Sequence, residues 1–102
     1  MTYPRDEFLT KTPDEVFDYD MVFTPDLVGS EIISTWTVEV FDSAGVDKTS
    51  TMVDSSTKSA NAIKAWFKGG TVGQSYVAVF KIVTTGGRTL VEEAYIHVGE
   101  KK

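Results

Sequence analysis

Histidine, hydroxyl and carboxylate side chains are the residue types from which this chain could build chemistry, and their spacing supports none. His97 is the single histidine and lies between Ile96 and Val98 in an alternating, strand-like context. That context makes it a surface or interface residue and not a general base or a ligand. Serine and threonine are plentiful, but a hydrolytic triad needs a histidine backed by an acid, and His97 stands alone. The acids Asp14, Asp18, Asp20, Asp26, Asp42, Asp47 and Asp54 are dispersed over expected turns and strand rims, with no DxDxDG-type spacing for calcium. Asp18 and Asp20 fall on the same side of one expected strand, where their mutual repulsion asks for a basic partner such as Arg88, or for a metal. The run Gly69-Gly70-Thr71-Val72-Gly73 lacks the Lys-Ser/Thr of a phosphate loop and leads into a strand, so it reads as turn chemistry. No catalytic, cofactor-binding or metal-ligating residue is assigned, no cofactor is expected, and the chain reads as a non-enzyme.

What remains is architecture. A chain of 102 residues fits one domain with one core. With no cysteine, neither a disulfide nor a thiolate metal site can hold it, and packing alone must do so. The net charge of -5 argues against affinity for nucleic acid, because neutralising phosphates takes clustered Lys and Arg. The opening MTYPRDEFLTKTPDEV has no apolar segment of signal-peptide length, and no stretch of the chain is long and apolar enough to cross a bilayer as a helix. The expectation is a protein made in the cytosol, with neither a nucleic-acid nor a membrane partner.

Residues 1–15, with Pro4, Pro13 and interleaved charges, read as a flexible arm whose Tyr3, Phe8 and Leu9 have nothing of their own to pack against. Residues 16–102 read as the β domain. Over 16–23, Phe17, Tyr19, Met21 and Phe23 alternate with Asp18 and Asp20, a half-buried strand. Over 31–41, Ile32, Trp36, Val38 and Val40 share one expected face, with Glu31, Thr35, Thr37 and Glu39 on the other. The Ser/Thr-rich region that follows predicts a weak edge strand over 49–53 and then a polar loop. Residues 61–68 read as a strand with Ile63, Ala65 and Phe67 inward and Trp66 outward, a short amphipathic helix being the alternative. Two last strands, 74–85 and 88–98, flank Gly86-Gly87, which suits a two-residue type I′ or II′ hairpin turn.

Tyr76, three residues after Gly73 at the mouth of a long strand, resembles a tyrosine corner, in which the phenol hydroxyl bonds upstream backbone and pins a sandwich connection. The fold class expected is therefore all-β: a single immunoglobulin-like antiparallel β-sandwich with a flexible N-terminal arm. Its penultimate strand breaks the usual rule. Tyr76, Ala78, Phe80 and Ile82 take one face, while Val77, Val79 and Val83 make the other apolar apart from Lys81. Both faces want cover, from the arm folding back or from another chain. Trp66 and Tyr95 are expected to extend this outer patch.

The order DYDMVFTPDLVGSEIISTWTV, WFKGGTVGQSY, IVTTGGR and YIHV resembles a family of small tailed-phage structural proteins described as fibre-to-tail adaptors. The matching positions are Asp18, Tyr19, Phe23, Leu27, Glu31, Ile32, Trp36, Gly69, Gly70, Gly73, Tyr76, Thr84 or Thr85, Gly87 and Arg88. Most are fold-making glycines and aromatics, and Ser30 between Gly29 and Glu31 departs from the pattern. The resemblance implies a noncatalytic virion component, assembled in the host cytoplasm, that joins a fibre or appendage to tail or neck proteins as a homo-oligomer. A capsid decoration protein, or a carbohydrate- or host-surface-binding module with an exposed Trp36 or Trp66, are the alternatives. Val77, Val79, Val83, Trp66, Tyr95, Tyr3, Phe8 and Leu9 are the expected interface, and Tyr76, Trp36, Gly69, Gly70, Gly73, Gly87 and Arg88 the structural set.

Overall fold

Among the described residues, seven strands form, several announced by alternation of apolar and polar side chains, and their pairing makes two sheets. The computed structural model describes residues 8–100. In chain order the elements are β1 (Phe8–Lys11), β2 (Phe17–Val22), a single 3-10 turn (Thr24–Asp26), β3 (Ile33–Asp42), the one-turn helix α1 (Thr49–Met52), β4 (Val53–Lys58), β5 (Ala62–Phe67), β6 (Ser75–Thr84) and β7 (Thr89–Val98). A four-stranded sheet in the order β1-β7-β6-β3 packs on a three-stranded sheet in the order β2-β5-β4. The result is the expected all-β, immunoglobulin-like sandwich.

Its core lies between the sheets. Phe67 of β5 and Phe80 of β6 are fully buried and meet edge to face, with ring centroids 6.2 Å apart. Tyr19 and Phe17 of β2 pack on them at 6.2 and 6.0 Å. Burying an aromatic or large aliphatic side chain contributes roughly 1.5–3 kcal/mol, so this cluster dominates the cohesion of a cysteine-free domain. The alternation expected for β2, β5 and β6 is followed: Met21, Phe23, Ile63, Ala65, Phe67, Tyr76, Ala78, Phe80 and Ile82 are all buried.

Four expectations are corrected. Ile33, not Ile32, fills the core at the start of β3; Ile32 is exposed. The register against β6 shifts between Ile33 and Thr35, so Ser34 is an extra residue that flips the phase from odd to even before Trp36, Val38 and Val40. Residues 49–52 form α1 and not an edge strand, and the strand comes afterwards as β4, in the stretch read as loop. At the β6–β7 turn the Gly87 N–H donates to the Thr84 carbonyl and the Thr84 N–H to the Arg88 carbonyl, with positive φ at Gly87 and not at Gly86. That is a three-residue connection closed by a left-handed glycine, not a two-residue primed turn. Finally, Phe8–Lys11, placed by the sequence reading within the arm, is an edge strand that pairs parallel with β7, which makes this sheet mixed.

Candidate docking face

The four-stranded sheet turns toward solvent a face whose rows follow from its register. One row runs Phe41, Val77, Tyr95 across β3, β6 and β7, with Phe8 of β1 at the next register position. The next runs Glu39, Val79, Glu93, the one after it Thr37, Lys81, Val91, and the last Thr35, Val83, Thr89. Phe41, Val77, Val79 and Tyr95 are half-buried, while Val83 and Val91 are exposed at 37% and 50%. A shallow hollow of about 280 Å³ opens beside the apolar row between Asp42, Ser43, Ser75, Tyr76, Val77 and Tyr95. The structure thus brings Val77, Val79, Val83 and Tyr95 onto one surface. Phe41, Glu39 and Glu93 join them there, and sequence reading missed this because cross-strand neighbours are set by register, not by local alternation.

Trp66 does not extend this patch. It belongs to β5, in the other sheet, and faces outward there beside Asp18 and Ser55. Its ring lies under the Lys64 ammonium, 5.7 Å from the centroid, and it lines a groove with Asp20, Val22, Thr57, Lys58 and Lys64. Trp36 faces inward from β3, half-buried, and its indole N–H donates to Ser56 Oγ of β4 at 3.0 Å, tying the two sheets at their edge. Leu9 packs partly against the core, an intramolecular contact, while Tyr3 and the side chain of Phe8 lie outside the described residues.

The residues read as structural converge on two connections. At one end of the sandwich, the Tyr76 hydroxyl accepts the backbone N–H of Thr71 at 2.9 Å, the upstream bond that its spacing implied. Gly70 sits against it with φ +97°, and a Cβ there would fall 2.6 Å from Val98 Cγ2 and 3.6 Å from Tyr76 Cε1. Gly69 presents its carbonyl to the Nζ of Lys11, 2.6 Å away, and the Thr12 carbonyl accepts from the same ammonium at 2.5 Å. Lys11 is fully buried, and desolvation pushes its pKa down against the pull of Glu15 and Asp14.

At the other end, Arg88 holds Glu31. Its Nη2 lies 2.5 Å from Glu31 Oε1, its Nε 3.0 Å from Oε2, and Nη2 also donates to the Asp26 carbonyl. Thr84 Oγ1 donates to Glu31 Oε2 as well. These bonds, first from Arg88 and then from Thr84, hold the Glu31 carboxyl down at about 2. The partner that the sequence reading offered for Arg88 was therefore wrong: Asp18 faces Lys64 at 3.8 Å, and Arg88 is taken by Glu31. The carboxylate side chain is almost covered, so it needs a bidentate cation more than two exposed aspartates on a strand rim do.

His97 Nδ1 lies 3.2 Å from Ser75 Oγ on the outer face of the four-stranded sheet. Among the described residues no three His, Asp or Glu side chains gather where they could hold a metal ion.

The two anchors and the sandwich around them lie in the region that a family model matches, residues 11–97, the family being described as the podophage GP4 fiber-tail adaptor protein gp77. The chain belongs to this family. It is accordingly a phage virion component with an adaptor role, which agrees with the resemblance seen in its Gly-Gly-x-x-Gly-x-x-Tyr and Gly-Arg segments. No curated protein matches the chain. Within the matched region lie the Tyr76 and Glu31–Arg88 anchors and the outward rows of β3, β6 and β7, whereas the first ten residues precede it.

Proposed function

We propose that this adaptor joins a tail fibre or related appendage to tail or neck proteins by packing alone, without catalysis, and that the outer face of the four-stranded sheet is the surface it uses. The observation that carries this reading is the outward apolar group Phe41, Val77 and Val79. A solvated antiparallel sheet places polar side chains at such positions. Apolar area buried there contributes roughly 25 cal/mol per Å² before association costs. Repetition of the same contact by symmetric copies in the particle multiplies a weak contact into a stable joint. The Lys64 ammonium over Trp66 and the inward Trp36 leave little free aromatic face for sugar stacking, which speaks against a carbohydrate-binding role. The net charge of -5 speaks against nucleic acid as a partner.

Val79→Glu tests the reading. Val79 lies half-buried on an outward face between Glu39 and Glu93, so the folded domain should persist, its stability lowered only by like-charge pairs across the strands at roughly 0.2–1 kcal/mol each. Particles assembled with this variant should lack adaptor or fibres, because a carboxylate in place of an apolar contact, desolvated beside Glu39 and Glu93, adds more negative charge than the interface pairs, at a cost of several kcal/mol. Particles with a full complement of both would place the docking surface elsewhere.

A further inference from the structure

The outer face carries information about the chemistry of what sits on it. Val79 is flanked across the sheet by Glu39 on β3 and Glu93 on β7. With neighbouring strands about 4.8 Å apart, the two acidic positions lie roughly 10 Å from each other on either side of the central strand. Both are half-buried, and among the described residues neither forms an ion pair. Glu93 has only a long contact, 3.4 Å, from the Tyr95 hydroxyl. Among the described residues the one Lys or Arg on this face is Lys81, one row further along β6 and diagonal to both; His97 lies on the far side of the Tyr95 row, against Ser75. A single ammonium can neutralise at most one carboxylate, so covering the face with a purely apolar surface strands the other, at the cost of a desolvated, unpaired charge.

Building on the docking face proposed above, we infer that its occupant is a segment of a different virion protein that presents an apolar side chain to Phe41 and Val77 and, beside them, an Arg or Lys to the Glu39–Glu93 pair. A second copy of this chain is a poor occupant. In a face-to-face contact of two copies centred on Val79, each pair of carboxylates meets the same pair, a like-charge juxtaposition that opposes association. A basic partner also suits the acidic adaptor as a whole, whose net charge of -5 steers cationic surfaces toward it.

The test places the photo-crosslinking residue p-benzoylphenylalanine at Val79, and separately at Trp66 on the opposite sheet, in adaptor assembled into particles, and identifies the joined peptides by mass spectrometry. The expected product from Val79 is a peptide of another virion protein containing Arg or Lys next to the cross-linked site. The charge is then tested directly. Glu39→Lys with Glu93→Lys should lower the adaptor recovered in particles by about tenfold or more, as expected for reversing close interfacial charges. Changing the identified basic residue to Glu should restore it. A Val79 product joined to a second copy, a partner peptide without a basic residue, or full incorporation of the charge-reversed adaptor would overturn the inference while leaving the docking face standing. Cross-linking from Trp66 and none from Val79 would overturn both.

Discussion

Tyr76 offers the sharpest test of how the sandwich is held. Its side chain is 5% exposed, its ring stands between Gly70 and the core, and its hydroxyl accepts one backbone hydrogen bond from Thr71. Tyr76→Phe keeps the ring and removes only that bond. Thr71 is exposed, so water can take up the freed N–H, and the cost should be that of one ordinary hydrogen bond, about 1 kcal/mol. Tyr76→Ala removes the ring as well, and buried aromatic-to-alanine changes cost about 3–5 kcal/mol. A domain of 102 residues has a total stability on the order of 5–15 kcal/mol, so the second change takes a large share of it. At about 4–8 °C per kcal/mol for a domain near this size, Tyr76→Phe should melt roughly 4–8 °C below the parent and Tyr76→Ala more than about 12 °C below it, or show no cooperative transition. Circular dichroism or calorimetry on the two variants and the parent decides the matter. If Tyr76→Ala melts within a few degrees of the parent, the connection is held by something other than this tyrosine.

The remaining predictions concern the other anchors. Glu31 has a folded pKa of about 2 against an ordinary 4.5, so its contribution is complete above about 4.5 and is lost as pH falls through about 2; Glu31→Gln should flatten the stability profile between those limits in acid-titration melts. Gly70→Ala should destabilise far more than Gly73→Ala. Both replace a positive-φ glycine, at about 1–2 kcal/mol each, but only at Gly70 does the new Cβ collide with Val98, whereas at Gly73 nothing lies within 4 Å; paired denaturation curves give the difference. Lys11→Ala removes two bonds from an ammonium to carbonyls and should speed hydrogen exchange in β1 and the facing backbone of β7 while leaving β3 and β6 protected. Uniform protection across the sheet would show that Lys11 does not hold the strand.

Local alternation carries the sheets and loses the joins. Phe17, Tyr19 and Met21 in β2, or Ile63, Ala65 and Phe67 in β5, announce their strand and their inward face within a few residues. The inversion at Ser34 leaves no such mark: a bulge adds one residue, and Ile32 and Ile33 are equally apolar until the pairing with Thr84 decides between them. β4 reads Val-Asp-Ser-Ser-Thr-Lys, an edge strand with almost nothing to bury, held by its pairing with β5. The turn helix α1 earns its place through Met52, buried under the Gly69-Gly70 connection. Which sheet an outward aromatic joins is also non-local, which is why Trp66 and Tyr95 look alike in sequence and lie on opposite surfaces. Of the docking face, the valines of β6 were legible because they sit on one strand; the acids beside Val79 come from strands on either side of it. The Glu31–Arg88 contact, 57 residues apart, follows from two turns meeting at one end of the sandwich.

The parallel pairing of β1 with β7 has a consequence for the order in which the molecule is made. Phe8 pairs with Tyr95, so forming this contact closes a loop of roughly 90 residues, at an entropic cost of about 4 kcal/mol for a chain not yet otherwise ordered. β6 and β7, by contrast, meet across a three-residue connection and form early. A growing chain therefore carries its first strand unpaired until its last strand has been synthesised and the sheet between them has gathered. Four residues then complete the edge after the rest of the sheet has absorbed most of the loop entropy. The β1–β7 edge is thus the last seam of this sheet to close.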